Sequence, residues 1–420
     1  MRNPDTRLVA SEACAHGDLN GCSHHGLSRR SFLEMCAGAA AIGTASLISG
    51  CGSANKAEPV LKIGYLPITD AAPLLVGHAR GYFQSEGLTV DKPVLLRGWP
   101  ELSEGFLAGT FNVVHLLLPI PIYMRYSQKH PVKVVAWNHV NGSGVTVGAK
   151  SGIKRLEDVG GKQIAVPHWY SMHNIVLQMC FRQWGLEPVM QDRRSPLSSK
   201  QVNLFVMKPP DMPTAIAGSA INGYIVAEPF NAAGEVLANG TIVRFTGDVF
   251  KNHPCCVVVM HEQDIKQHPE WAQKVVNGLV KAQQWASHNL QDCAHLLSKE
   301  GSGYLPTPEP VIQRAMTKYD LATYGPSGTG AIRHPDWGAH RIDFQPYPYP
   351  SATVEIVKNL KMTKVEGDAG FLQSLDPQHV ADDLFNYKLV KKAAESIGGL
   401  QVFDNVNAAD PYVRTEVIGV

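Results

Sequence analysis

Beyond residue 60 the chain alternates short apolar runs with stretches whose apolar residues recur at helical spacing. Leu61-Lys62-Ile63-Gly64-Tyr65-Leu66 predicts a strand closed by Pro67. Leu74, Leu75, Ala79, Tyr82 and Phe83 then predict a helix, with Pro73 near its start and Gly87 past its end. A second strand is expected near 89–96 and a helix over 101–109. Residues 112–118 form a continuous apolar strand, as a buried parallel sheet requires, ended by Pro119 and Pro121. Another strand covers 132–137. Strand and helix repeating in this order is the α/β pattern.

The pattern changes near 153–162, which is polar and carries Gly160-Gly161 before a strand over 163–166. A helix over 171–184, a strand over 202–206, a short helix over 211–218 and a strand over 223–226 make a second α/β unit. Residues 255–260 predict a strand returning to the first unit, followed by a long helix over 269–289. The tail reads as mostly helical. Phe344-Gln345-Pro346-Tyr347-Pro348-Tyr349-Pro350 is expected to be a surface clamp or loop. The expected division is a first lobe over 60–145, a second over 146–250, a return to the first over 251–345, and a C-terminal helical extension over 346–420.

Residues 1–50 depart from this pattern. Arg29-Arg30 precede an apolar run of about fifteen residues, rich in Ala and Gly, over 35–49. A helix needs roughly 20 apolar residues to cross a bilayer, so the run predicts an export signal. The arginine pair points to the route for folded proteins. The run closes on Leu47-Ile48-Ser49-Gly50-Cys51, a lipobox arrangement that predicts cleavage after residue 50 and lipidation of Cys51. A flexible tether over 51–59 would follow. The chain is expected outside the cytoplasmic membrane, anchored by lipid.

Net charge is +1, and residues 1–50 carry four basic and four acidic residues, so cleavage leaves it unchanged. No basic stripe suggests nucleic acid, and no later stretch is long and apolar enough to span a membrane. About 370 remaining residues favour two domains. Of Cys180, Cys255, Cys256 and Cys293, none has spacing that suggests a disulfide framework. Cys255 and Cys256 open an apolar run and read as small hydrophobes.

The segment from Leu61 through Ile68-Thr69-Asp70-Ala71-Ala72-Pro73-Leu74 resembles the start of ABC-transporter binding proteins for nitrate and bicarbonate. These belong to the wider nitrate/sulfonate/taurine-binding family. Further matches follow in order: Ala79-Arg80-Gly81-Tyr82-Phe83, Leu156-Glu157-Asp158-Val159-Gly160-Gly161-Lys162, His173-Asn174, Ala227-Glu228-Pro229-Phe230-Asn231 and Phe250-Lys251-Asn252-His253-Pro254. The resemblance covers about residues 60–390. It implies the α/β periplasmic-binding-protein type II fold, two lobes joined by hinge strands with the ligand between them. It also implies a small, anionic solute delivered to an ABC permease and its ATPase by cleft closure, without catalysis and without a cofactor.

In open α/β sheets, ligands lie at the carboxyl ends of strands, where helix N-termini suit anions. That criterion selects the loops at Thr69-Asp70, Gly98-Trp99, Pro119-Ile120-Pro121, Asn141-Gly142-Ser143, 167–174 and Glu228-Pro229-Phe230-Asn231. Ser171 is expected to cap a helix. The resemblance places ligand contacts at His173 and Trp99, and a hinge or cleft role at Glu228. The expected ligand-binding set is Thr69, Trp99, Asn141, Ser143, Tyr170, His173 and Glu228. Ser143 stands where nitrate and bicarbonate binders carry glutamine, and His168-Trp169-Tyr170 is bulkier than their glycine-rich loop. An aromatic wall also suits a sulfonate or a thiamine-pyrimidine precursor. His168, His173 and Glu228 could face a cation but lack metal-ligand spacing, so no metal is expected. Two other readings share the fold: a ligand-sensing lipoprotein, and an enzyme like the fungal thiamine-pyrimidine synthases. The cysteine-rich motif of those enzymes is not reproduced by Cys255-Cys256.

Overall fold

The apolar runs become two separate β-sheets in the computed structural model, which describes residues 57–420. The arginine pair, the apolar run and Cys51 lie outside the described residues. Eleven strands are assigned among them: β1 Ile63–Tyr65, β2 Val94–Leu95, β3 Val113–Leu117, β4 Val132–Trp137, β5 Ser143–Val147, β6 Lys162–Val166, β7 Glu187–Val189, β8 Gln201–Val206, β9 Gly223–Ala227, β10 Thr241–Phe245 and β11 Cys256–His261. The first sheet runs β2-β1-β3-β11-β4 and the second β10-β5-β9-β6-β8-β7. In each, strands pair in parallel except at the crossings. There β11 lies antiparallel to β3 and β4, and β5 antiparallel to β9 and β10. The chain thus enters the second sheet after β4 and returns through β11. This is the two-lobed α/β arrangement expected from the pattern.

Val113, Val114, Leu116, Leu117, Val257, Val258 and Val259 are buried on both faces of the first sheet. Full burial of each such side chain contributes roughly 1.5–3 kcal/mol. The helix Pro269–His288 covers this sheet, burying Trp271, Val275, Val276, Leu279 and Val280. It packs on the helices Ala72–Ala79, Tyr82–Ser85 and Tyr387–Glu395. A Cβ at Gly278 would sit 2.6 Å from the Phe83 ring, so a side chain there would drive the helices apart. The helical spacing expected through Phe83 is broken at Gly81, whose left-handed backbone (φ 70°) starts a separate turn. A second helix begins at Trp99 rather than Glu101, because Pro100 is tolerated in a first turn.

Three strands were not anticipated from the pattern. β5 starts inside an Asn-Gly-Ser sequence that reads as loop, and β10 and the short β7 carry weak patterns. The Pro/Tyr segment is a correction: Phe344, Gln345, Tyr347 and Tyr349 are buried, not on the surface. Prolines have no N–H to satisfy. The Pro346 carbonyl accepts from Trp137 N, and Tyr349 packs edge-on against Trp137 at 5.5 Å. This tail segment therefore lines the crossing between the sheets. No helix among the described residues is long and apolar enough to cross a membrane.

Candidate functional site

Both crossings run side by side. Asn138 N donates to Cys256 O and Asn141 N to His253 O, each at 2.9 Å, and Val140 N donates to Asp343 O of the tail. Strand ends from both sheets therefore meet at one junction, and their polar side chains meet with them.

From the first sheet, β1 runs into the turn Thr69–Ala71, which carries Thr69 and Asp70, both fully buried. His115, in the middle of β3, accepts from Leu66 N through Nε2 at 3.0 Å. Burial pushes that imidazole down to about 3, with His139 adding to the effect, so it stays neutral. Asn138 and His139 follow β4, and Cys255 and Cys256 open β11. From the second sheet, Ser143 begins β5, and His173 sits in the first turn of the helix Met172–Trp184. Ser171 caps that helix as expected, accepting from Asn174 N at 3.0 Å.

These side chains touch across the junction. Ser143 Oγ lies 3.0 Å from His173 Nε2, and Cys255 Sγ lies 3.8 Å from both. Cys256 Sγ donates to Asp70 Oδ2 at 3.4 Å. His139 Nε2 approaches the same carboxylate at 3.1 Å, but the approach is too oblique for a hydrogen bond. Burial pushes the Asp70 carboxyl up to about 6, with His139 opposing. Burial also disfavours a charged His139, yet Asp70 and Cys255 outweigh it and hold the imidazolium to about 10. For Cys255 burial again opposes ionisation, but Cys256, His173 and His139 together hold the thiol well below the usual range. Asp70 Oδ1, His139 Nδ1, His173 Nδ1, Asn141 Oδ1 and Trp99 Nε1 are buried without a protein partner. Orphaned buried polar atoms are costly, so such a concentration marks a place built to be completed by something else.

The expected ligand residues fall into three groups. Ser143 and His173 are brought together, and Asn141 lies beside them, its Nδ2 on Asn252 Oδ1 at 3.1 Å. Trp99 is buried with its ring edge-on to His115 at 5.7 Å, joining the first-sheet side. Thr69 and Glu228 tie the sheets directly, since Thr69 N and Oγ1 both donate to the Glu228 carbonyl, at 2.8 and 3.1 Å. The Glu228 carboxylate accepts from Tyr319 O–H at 2.5 Å and Ala232 N at 3.1 Å, so both oxygens are engaged. Burial raises its pKa to about 7. Tyr170 stands apart, stacked on Tyr123 at 4.5 Å and tilted against Phe371. His168 accepts from Tyr170 N, a local structural role.

Asp70, His139, Cys255 and Cys256 were not foreseen as site residues. The two cysteines are buried as expected, but their neighbours are polar rather than apolar. Ligand atoms of Asp70, Cys255 and Cys256 all lie within 4.8 Å of one another, whereas His168, His173 and Glu228 show no such convergence among the described residues. A cavity of about 490 Å³ opens nearby between Pro67, Leu95 and Arg97 on one side and Pro213, Thr214 and Phe230 on the other. It reaches the loops two residues from Thr69 and Glu228 but includes none of the buried polar cluster.

Residues 54–298, more than half of the chain, match the NMT1-like family. The chain belongs to that family. It is 25% identical to the nitrate/nitrite binding protein NrtA of Nostoc sp., over 90% of this chain and 86% of that one. Its fold is shared with the periplasmic nitrate-binding protein NrtA of Synechocystis PCC 6803, at a TM-score of 0.66 and 18% identity over 83% and 92% of the two chains. It is also shared with the alkanesulfonate-binding protein SsuA of Xanthomonas axonopodis pv. citri, solved with MOPS bound, at a TM-score of 0.54 and 16% identity over 80% and 99%. The architecture of this NMT1-like chain is thus that of ABC-importer substrate-binding proteins, with the type II crossing of strands.

Proposed function

We propose that this chain is the extracytoplasmic solute-binding component of an ABC importer for a small, anionic solute of the nitrate, sulfonate or bicarbonate type. It would deliver the solute to a permease by cleft closure. One observation carries the reading: Ser143 and His173 of one sheet meet Cys255 of the other at 3.8 Å, where the two crossings run side by side, and buried donors and acceptors including His173 Nδ1, Asn141 Oδ1 and Trp99 Nε1 are left without a protein partner. Buried N–H groups such as Trp99 Nε1 can bind an oxyanion without needing a fixed positive charge at every contact. A ligand that touches both sheets would favour the closed arrangement over an open one. Asn141 completes the proposed ligand set, Glu228 holds the closed form through its carbonyl, and Tyr170, stacked on Tyr123 apart from the junction, is left out of the set. Anchoring at Cys51 after twin-arginine export belongs to the same proposal, because a captured solute must be released beside the permease.

The test is a thermal-shift screen of the chain against nitrate, nitrite, bicarbonate, alkyl and aryl sulfonates, taurine and aminopyrimidines. A true ligand at a hundred times its Kd raises stability by about 2.7 kcal/mol. An aminopyrimidine that shifts the transition while every anion leaves it unmoved would overturn the anion reading.

A further inference from the structure

Cys255 and Cys256 are the part of the junction that the solute reading does not use. Each thiol is fully buried, and so are Asp70 and His139. A vicinal dithiol that only filled space would need apolar neighbours; this one has a carboxylate and two imidazoles. Cys256 Sγ is 3.4 Å from Asp70 Oδ2, Cys255 Sγ is 3.8 Å from His173 Nε2, and the three atoms from Asp70, Cys255 and Cys256 lie within 4.8 Å of one another.

We infer that Asp70, Cys255 and Cys256 form a binding site for a thiophilic metal ion of the zinc class, with His139 as the adjoining fourth donor. Around tetrahedral zinc with bonds of about 2.3 Å to sulfur, ligand atoms stand roughly 3.8 Å apart. Among Asp70, Cys255 and Cys256 the observed spacing therefore needs a contraction of at most about 1 Å. Sulfur and imidazole select a zinc-like ion over calcium or magnesium, which take oxygen. The unpartnered atoms agree: Asp70 Oδ1 and His139 Nε2 are buried without a hydrogen bond, with Nε2 3.1 Å from the Asp70 carboxylate, and a cation there would give both a partner. Placement supports it too. Asp70 follows β1, His139 lies on the first crossing and the cysteines on the second, so a bound ion would tie both crossings to the first sheet. Metal–ligand bonds would replace the protons carried by the two thiols and by His139, so ion binding should release protons with no change of oxidation state.

The test uses the full chain, reduced and stripped of metal, titrated with Co²⁺ as a spectroscopic substitute and then with Zn²⁺. The expected result is a thiolate-to-cobalt charge-transfer band with tetrahedral d–d bands, displaced by one equivalent of Zn²⁺. Both Cys255→Ser and Cys256→Ser should abolish the band and weaken Zn²⁺ at least a hundredfold, whereas Cys180→Ser and Cys293→Ser should change neither. X-ray absorption at the zinc edge of the unmutated protein covers the case of a variant that does not fold, and should count two sulfur neighbours. An edge spectrum without sulfur overturns the inference, as do cobalt bands that survive both junction variants. Recovery of Cys255 and Cys256 as a disulfide that resists reduction overturns it equally. No solute enters these measurements, so their failure leaves the solute proposal untouched.

Discussion

Cys293 and Cys255 are both fully buried, yet they sit in opposite kinds of interior. Cys293, on the helix Leu290–Leu297, packs with Ala286, Ala294, Leu297 and Met316, and burial alone pushes its thiol up. Cys255 suffers the same loss of hydration, but Cys256, His173 and His139 reverse the outcome. Burial is thus not a single environment. The apolar regions of this chain supply stability, and the junction concentrates polar groups whose cost those regions offset.

That contrast is broken most directly by a change in the apolar region. Trp271 is fully buried in the long helix that covers the first sheet. Trp271→Ala should cost about 3–5 kcal/mol in urea unfolding, while the folded fraction keeps its solute affinity in calorimetry. Loss of affinity at unchanged stability would mean that the covering helix, not the junction, controls the cleft.

The next largest effect is a pH dependence at the junction's edge. Burial raises Glu228 from 4.5 to about 7. Between those values the folded chain holds a proton that the unfolded chain has lost. The group's contribution to stability is therefore full below about pH 4.5 and is lost as pH rises through 7. Glu228→Gln removes this dependence. Unfolding free energy of the original chain relative to the variant should fall on the order of 3 kcal/mol between pH 4.5 and 8. A difference that is flat in pH would show a carboxylate already ionised in the fold.

Much of the fold was legible because it rests on apolar runs. β4 occupies the expected 132–137, and the helices at Met172–Trp184 and Pro269–His288 start where Ser171 and Pro269 said they would. β5 escaped because Asn141-Gly142-Ser143 is turn chemistry by local rule, while its strand is imposed by β9 and β10 on either side. The site was legible in part. Ser143 and His173 could be chosen from strand ends and resemblance, but their 3.0 Å contact depends on the strand order of the second sheet, which brings the start of β5 beside the helix that follows β6. Cys255 and Cys256 escaped for a sharper reason. Apolar residues follow them in sequence, whereas Asp70 and His139, which define their surroundings, are more than a hundred residues away. Adjacent cysteines at the mouth of a returning strand were the available signal.

A smaller and more specific effect separates solute contacts from packing. His173→Gln should weaken the solute found by screening at least tenfold, about 1.4 kcal/mol, with the melting midpoint within a few degrees of the original. Trp99 is buried so completely that its alanine variant would open a cavity. Trp99→Phe is the informative change, because it removes the orphaned indole N–H and keeps most of the ring. It should weaken an oxyanion about tenfold, near the worth of one hydrogen bond to a charged group, and leave a neutral ligand unaffected. Equal weakening of both would assign Trp99 to shape rather than to hydrogen bonding.

The smallest effect belongs to the rim. Arg97 pairs with Asp211 at 3.2 Å and Lys208 pairs with Glu101, each pair joining the β2–β3 connection of the first sheet to the β8–β9 connection of the second. Their geometry resembles a latch, but all four side chains are well exposed, at 42–65%. Exposed pairs contribute roughly 0–1 kcal/mol because water and salt screen them and holding long side chains costs entropy. Arg97→Ala with Lys208→Ala should therefore weaken solute binding less than fivefold, about 1 kcal/mol. Most of that loss should vanish in 0.5 M salt, where the screening length drops to roughly 4 Å. The junction contacts between Thr69 and Glu228 are buried and should show no comparable salt dependence. Calorimetry of the double variant at two salt concentrations decides the matter. A large, salt-resistant loss would place the closing force at the rim, and the contrast between buried junction and exposed periphery would then have to be reversed.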